Sequence, residues 1–375
     1  VFDLPPDHQG IKDEAARLAD SLRPIAARAD EADRVDADVA AALRESGLCG
    51  LTVPLRHGGR HERVDPLAVT VARESLCAVS AHLDSLFALQ GIGGHALAVS
   101  GNEALAAEWL PRVARLDAIA GLALTEPDAG SDLKNIGTRV RAKGGELVVS
   151  GHKTFISNGA DADFFTVLCR EDEGHSLVLV PAGLPGVTVR PSPQIMAPHV
   201  LGDIEFADVA VPESHRLSAP GGGFAPVLAT LSTFRVSVAG AAVGLAQAAL
   251  DEAVRHTRER EQFGRPLIGI GAVGQMLALS WTEIEMARSL TYRAAWQAGR
   301  DARAALHLSS MAKVGATETA GRVVDRSVQA MGRFGLVRGS VIERLYRTAR
   351  PMRVYEGGTE VILDSLAKTL AKGEA

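Results

Sequence analysis

Thr125, Gly130 and Ser131 stand close together in the segment Gly121 to Asp132, GLALTEPDAGSD, where an apolar run enters a polar, glycine-bearing loop. Two hydroxyls there can donate to carbonyl oxygens or ring nitrogens, and the glycine lets backbone approach a ligand closely. The same residues also suit an ordinary loop. About two dozen residues later GHKTFISNGADAD, Gly151 to Asp163, places Phe155 and Ser157 after a hairpin pattern. An aromatic face followed by a hydroxyl can stack on a planar group and hydrogen-bond to its edge, although a lone phenylalanine is more often core. Arg260, in the run Arg258, Glu259, Arg260 and Glu261, offers a cation to an anionic ligand or merely ends a solvated helix. Glu356, between Tyr355 and Gly357, is a carboxylate that serves either as a base or as a residue of a surface turn.

Other chemistries find little support. Gly269, Gly271 and Gly274 spell GIGAVG, but a dinucleotide-binding turn needs a strand before it and a βαβ unit around it, and this one lies between two helical stretches. The eleven histidines form no HExxH motif or paired Cys/His cluster, and no serine occupies a GxSxG elbow, so no metal site is expected. Forty basic and 45 acidic residues give a net charge of −5, without global attraction to nucleic acid or to an anionic membrane. Cys49, Cys77 and Cys169 are widely spaced and read as buried reduced thiols. Val1 to Ile11 lacks an apolar signal core, and no later stretch nears 18 uninterrupted apolar residues. A soluble, cytoplasmic protein is the expectation.

The elements that position these residues fall in three blocks, as a chain of this length allows. Ile11, Ala15, Leu18, Leu22, Ile25 and Ala29 alternate four- and three-residue steps, the mark of a helix that Pro24 should bend or interrupt. Helical patterns follow at Asp36 to Glu45, Pro66 to Gln90 and Glu103 to Ala114. The period then shifts to short β-branched runs at Thr138 to Ala142, Glu146 to Ser150, Phe164 to Cys169, Ser176 to Val180, Gly186 to Arg190 and Asp203 to Val211, with Gly144 and Gly145 as a hairpin turn. Beyond the glycines 221 to 223 helices return. Val236, Ala239, Val243, Ala246, Leu250 and Ala253 keep a bundle-type stripe, and patterns continue over Gly274 to Arg300, Ala304 to Met331 and Leu363 to Lys372. The expected fold is α+β and mostly α, with a helical domain over 1–117, a β-barrel or sandwich domain over 118–222 and a four-helix-bundle domain over 223–375.

Taken together, the two polar segments resemble the acyl-CoA dehydrogenase family, in which a TEPxAGSD-like loop and a GxKxxITN-like strand cradle a flavin. The likeness extends along most of the chain, through GLCGLTVPLRHGG, STFRVSVAGAAVGLAQAALD, REQFGRP, QAMGRFG, ERLYRTAR and RVYEGGTE in family order. The resemblance implies FAD, its ring held between the β domain and the C-terminal bundle by residues matching Leu122, Leu124, Thr125, Gly130, Ser131, Phe155, Ile156 and Ser157. Phe155 stands for a frequent tryptophan, and Ser157 bonds near flavin N5. Positions matching Arg260, Phe263, Gln329, Gly332, Arg333, Gly358 and Glu360 hold the rest of the cofactor, in part from a neighbouring subunit of a homotetramer. Gly271, Arg333 and Gly358 depart from the usual Gln, Gly and Thr.

The resemblance also implies the reaction, removal of two hydrogens from the α and β carbons of an acyl-CoA. Glu356 matches the base and Arg235 the arginine that positions it; Ser131, Ser232, Arg235 and Gly357 match substrate positions. The thioester carbonyl would bond to the backbone N–H of Glu356 and to a flavin hydroxyl. A second carboxylate position used by some members, just before the bundle arginine, holds Phe234 here. The implied electron acceptor is an electron-transfer flavoprotein. Alternatives are a dehydrogenase or oxidase acting on a carrier-protein thioester in biosynthesis, and a catalytically silent scaffold or binding relative.

Overall fold

A computed structural model describes residues 3–197 and 199–373 of the chain. Val1, Phe2, Glu374 and Ala375, at the outer ends of the first and third expected domains, lie outside the described residues, as does Pro198. Five helices come first: α1 (Pro6–Ala29), α2 (Ala37–Ser46), α3 (Pro66–Cys77), α4 (Ala81–Val99) and α5 (Glu103–Ala114). Seven strands follow: β1 (Ala120–Ala123), β2 (Arg139–Lys143), β3 (Glu146–Ser157), β4 (Phe164–Glu171), β5 (Gly174–Pro181), β6 (Val187–Pro191) and β7 (Leu201–Pro212). Helices then resume with α6 (Phe224–Glu259), a small hairpin of β8 (Glu261–Gln262) and β9 (Arg265–Pro266), α7 (Gly271–Arg300), α8 (Leu306–Met331), α9 (Val341–Met352) and α10 (Thr359–Ala371). The mostly helical α+β architecture is the expected one.

Two local differences have physical causes. α1 continues through Pro24, because a proline one turn from the end forfeits a single hydrogen bond while buried Leu22, Ala26 and Ala29 hold the last turns in place. The stretch from Pro66 to Gln90 is two helices, broken at Ala78 to Ser80 where Ser80, a favoured N-cap residue, stands before α4 and donates to Asp30 Oδ1 at 2.6 Å.

The chain divides into two compact units that follow packing and not chain order. One comprises the described parts of Val1–Asp30, Pro66–Ala81 and Arg235–Ala375; the other comprises Glu31–Asp65 and His82–Phe234. In the first unit α7 packs on α8, α8 on α9, α1 on α3 and α3 on α7. The stripe Val236, Ala239, Val243, Ala246, Leu250 and Ala253 of α6 is buried. Gly244 lets α6 close on α3, since a Cβ there would stand 1.8 Å from the carbonyl oxygen of Glu74.

The second unit holds the sheet, ordered β1-β4-β2-β3-β7-β6 with β5 paired to β4. β1 runs parallel to β4; the β2–β3, β3–β7, β6–β7 and β4–β5 pairs are antiparallel. Gly144 and Gly145, at φ 64° and 85°, make the expected β2–β3 turn, which needs left-handed backbone at both positions. One face of the sheet buries Val140, Leu147, Val149, Phe165, Val167, Val178, Val180, Ile204 and Phe206. The other, through Phe164, Leu168, Leu177 and Leu179, packs with Trp109, Leu110 and Val113 of α5.

Candidate active site

In the second unit β1 carries Leu122 and delivers Leu124 and Thr125 just past its end. The loop beyond is tied to β3 by a buried ion pair. Lys153 Nζ donates to Glu126 Oε1 at 2.9 Å and to the Leu124 carbonyl at 2.8 Å. Glu126 also accepts from the backbone N–H groups of Gly137 and Thr138, and Thr154 N donates to Thr125 O at 3.0 Å. Burial pushes the Glu126 carboxyl up, but bonds from Lys153, Thr138 and Gly137 more than offset this and hold it below the usual carboxylate range. Gly130 and Ser131 lie exposed at the loop tip, and a Cβ on Gly130 would meet no protein atom.

Phe155 stands on a β-bulge. Lys153 pairs with Ile204 and Ile156 with Gly202, so Thr154 and Phe155 together face Asp203. The extra residue adopts φ 54°, which turns the Phe155 ring out of the pleat and leaves it 49% exposed. The Asp203 carboxylate holds this geometry, accepting from Thr154 Oγ1 at 2.5 Å, from Ser192 Oγ at 2.7 Å and from the backbone of Phe155. Ile156 points the opposite way, into the core. The Ser157 hydroxyl lies 3.2 Å from His199 Nε2, which is 3.1 Å from Ser85 Oγ. Burial pushes His199 down to about 4, so at neutral pH it orients the serine as an uncharged ring. Ser232, on the first turns of α6, is buried in this unit, and Phe234 sits edge-on to His95 with ring centroids 5.3 Å apart.

The first unit carries Glu356, in the turn between α9 and α10. Its φ is 57° and that of Gly357 is 101°, two consecutive left-handed residues of which only the second is glycine. Such backbone costs about 1–3 kcal/mol and persists only where its surroundings enforce it. Glu356 Oε2 is shut from solvent and has no hydrogen-bond partner among the described residues, and the same is true of Arg235 Nε. Arg235 is steadied from α8, donating from Nη1 to Ser310 Oγ at 3.2 Å. Burial raises the Glu356 carboxyl above its usual range, and the attraction of Arg235, Arg73 and Lys313 only partly opposes it. A desolvated carboxylate with an open lone pair and a raised pKa is equipped to take a proton. Orphaned polar atoms on both residues fit a site completed by a ligand.

At the end of α6 the Arg260 guanidinium lies 5.6 Å from the Phe334 ring centroid, and that of Arg333 lies 5.1 Å from the same centroid. Two cations on one ring make a positive patch suited to a phosphate. Phe263, at the tip of the β8–β9 hairpin, is 91% exposed. Gln329, Gly332 and Arg333 are exposed too, and Gly332, at φ 58° and ψ −135°, has a conformation only glycine takes readily. Gly358 is the N-cap of α10 and has no side-chain cap, so the missing threonine costs a capping hydroxyl; Glu360 stands in the first turn of α10.

Sequence reasoning did not single out Lys153, Glu126, Asp203, His199, Lys313 or Glu318 as site residues. Lys153 and Glu126 lay in plain view within the two informative segments. Asp203 and His199 come from β7 and the loop before it, and no local pattern joins them to Phe155 and Ser157.

Models of the acyl-CoA dehydrogenase N-terminal, middle and C-terminal domains match residues 5–117, 121–209 and 221–371. The chain is 31% identical over 371 residues to probable acyl-CoA dehydrogenase FadE25 of Mycobacterium tuberculosis, covering 96% of this chain and 94% of that one. Butyryl-CoA dehydrogenase from Megasphaera elsdenii has a solved structure that superposes with a TM-score of 0.94 at 28% identity, over 99% of this chain and 100% of that one. Glutaryl-CoA dehydrogenase from Mycobacterium smegmatis, solved in complex with FADH2, superposes with a TM-score of 0.90 at 26% identity, over 98% and 95%. With all three domain models matched in order across nearly its whole length, the chain belongs to the acyl-CoA dehydrogenase family.

Proposed function

We propose that the chain oxidises an acyl thioester to its trans-2-enoyl form, with Glu356 as the base that takes the α proton. FAD is the cofactor, and when bound it accepts the β hydrogen together with its electron pair. The protein's own part is to bind, orient and deprotonate. Arg235 keeps the Glu356 carboxylate aimed and partly ionised, and the backbone N–H of Glu356 donates to the thioester oxygen as negative charge gathers there. Leu122, Leu124, Thr125, Gly130, Ser131, Phe155, Ser157 and the backbone of Ile156 form the ring side of the cofactor site. Ser131, Ser232 and Gly357 each match a position that meets the acyl thioester in the family. Arg260 and Arg333 meet the pyrophosphate, while Phe263, Gln329, Gly332, Gly358 and Glu360 complete the distal half, Arg260 and its neighbours acting across the interface of a homotetramer. An electron-transfer flavoprotein then reoxidises the enzyme.

The observation that carries this reading is Glu356 itself, with its unpartnered, solvent-shielded oxygen, left-handed backbone and raised pKa beside Arg235. An anaerobic panel of CoA and carrier-protein thioesters of varied length and branching, scored by loss of flavin colour, tests it. Bleaching by one thioester class supports the reading and names the substrate; no bleaching by any of them removes it.

A further inference from the structure

Lys313 is wholly buried on α8, yet no carboxylate among the described residues is bonded to it; its Nζ donates at 2.6 Å to the carbonyl oxygen of Gly357, the residue after Glu356. A buried ammonium is costly, and a carbonyl alone repays little of that cost, so its retention calls for a reason beyond packing. The geometry around it supplies one. Ser310, one turn earlier on the same face of α8, accepts from Arg235. Farther along α8, Glu318 Oε1 accepts from Arg353 Nε at 2.8 Å and from Thr359 Oγ1 at 2.9 Å, and Thr359 N donates to Arg353 O at 3.2 Å. One helix therefore grips the Glu356 turn before, within and after its strained centre, and Lys313 holds the centre, where two successive left-handed residues would otherwise relax.

We propose that Lys313 is a positioning residue for proton abstraction, holding the Glu356 turn through the Gly357 carbonyl and keeping a positive charge beside the carboxylate. This rests on Glu356 being the base. The charged groups acting on the pair are Arg235 from α6, Arg73 from α3, Glu318 from α8 and Glu360 from α10. Burial, with help from Arg235 and against Glu356, Glu318 and Glu360, brings Lys313 down to about 8, so it is mostly cationic at neutral pH.

Two variants separate the parts. Lys313→Met keeps the volume and removes both charge and donor; Lys313→Gln keeps a neutral donor. Difference infrared titration of the flavin-free protein, with Glu356→Gln as the blank, reads the Glu356 carboxyl without any turnover. The expected result is a carboxyl titration about one pH unit higher in both variants, the effect of losing one nearby cation. The anaerobic bleaching limb should move with it, and the plateau rate should fall about tenfold in Lys313→Met and less in Lys313→Gln. Unmoved titration in both variants overturns the proposal whatever happens to the rate, as does failure of both to fold, which would assign the lysine to stability. If the titration moves but Glu356→Gln bleaches like wild type, Lys313 does set the ionisation of the Glu356 carboxyl, but the assignment of the base fails and the catalytic part of the proposal falls with it.

Discussion

Glu356 is surrounded by groups that pull its proton affinity in opposite directions: burial disfavours the carboxylate, while Arg235, Arg73 and Lys313 favour it, and burial wins. A carboxyl with a raised folded-state pKa holds its proton more tightly folded than unfolded. The protein consequently loses stability as pH rises from the ordinary carboxylate value through the raised one, at about 1.4 kcal/mol per unit of elevation. Glutamine mimics the protonated form at every pH. The melting temperature of Glu356→Gln should therefore exceed that of wild type at neutral pH and converge on it in acid; differential scanning calorimetry across pH 4 to 8 measures this, and a gap that widens in acid contradicts the raised pKa. At this scale the proposed base was singled out from its motif alone. Its environment was not, because Arg73, Arg235 and Lys313 lie on three helices far apart in sequence and reach one carboxylate only through folding.

Elements were read best where one periodicity persisted. The Gly144–Gly145 turn and the apolar stripe of α6 needed nothing beyond local pattern. α9 was missed as a helix although Ser340 and Glu343 spell a capping box, and Ser340 Oγ does accept from Glu343 N at 3.4 Å while Glu343 Oε2 accepts from Gly339 N at 3.0 Å. The bulge at Phe155 was invisible in principle, since it depends on register with β7 and on Asp203 across the strand pair. The loop after β1 depends likewise on a partner strand. Lys153→Met would strand the Glu126 carboxylate in the interior, and breaking such a pair costs about 3–5 kcal/mol. The variant should show a correspondingly lower midpoint in urea and should retain less FAD after gel filtration. Wild-type stability and flavin content would mean that the pair does not organise this loop.

At the scale of the whole molecule, α1 and α3 group with the C-terminal helices, whereas α2, α4 and α5 group with the sheet. Chain order gives three blocks, and three family domain models match in that order; that the apolar face of α3 packs on α1 and α7 is long-range packing that leaves no mark on local pattern. Exposed Phe263, with Gln329 and Gly332 near the arginine patch, is the surface expected to be covered by cofactor and a neighbouring subunit. Arg260→Ala should therefore weaken FAD retention and the stability of the proposed tetramer together, because a ligand bound only by the assembly stabilises it. Sedimentation at matched concentration with absorbance read in the flavin band measures both, and an unchanged, fully yellow tetramer would return Arg260 to the role of a solvated helix end. The proposed chemistry itself comes down to one carboxylate, and the most direct measurement is a stopped-flow, anaerobic mixing of the flavin-loaded protein with the thioester that bleaches it, wild type against Glu356→Gln. Wild type should lose its flavin colour, and the variant, folded and yellow, should bind the thioester but bleach at least about 10²–10⁴-fold more slowly. Bleaching of Glu356→Gln at the wild-type rate would contradict the account.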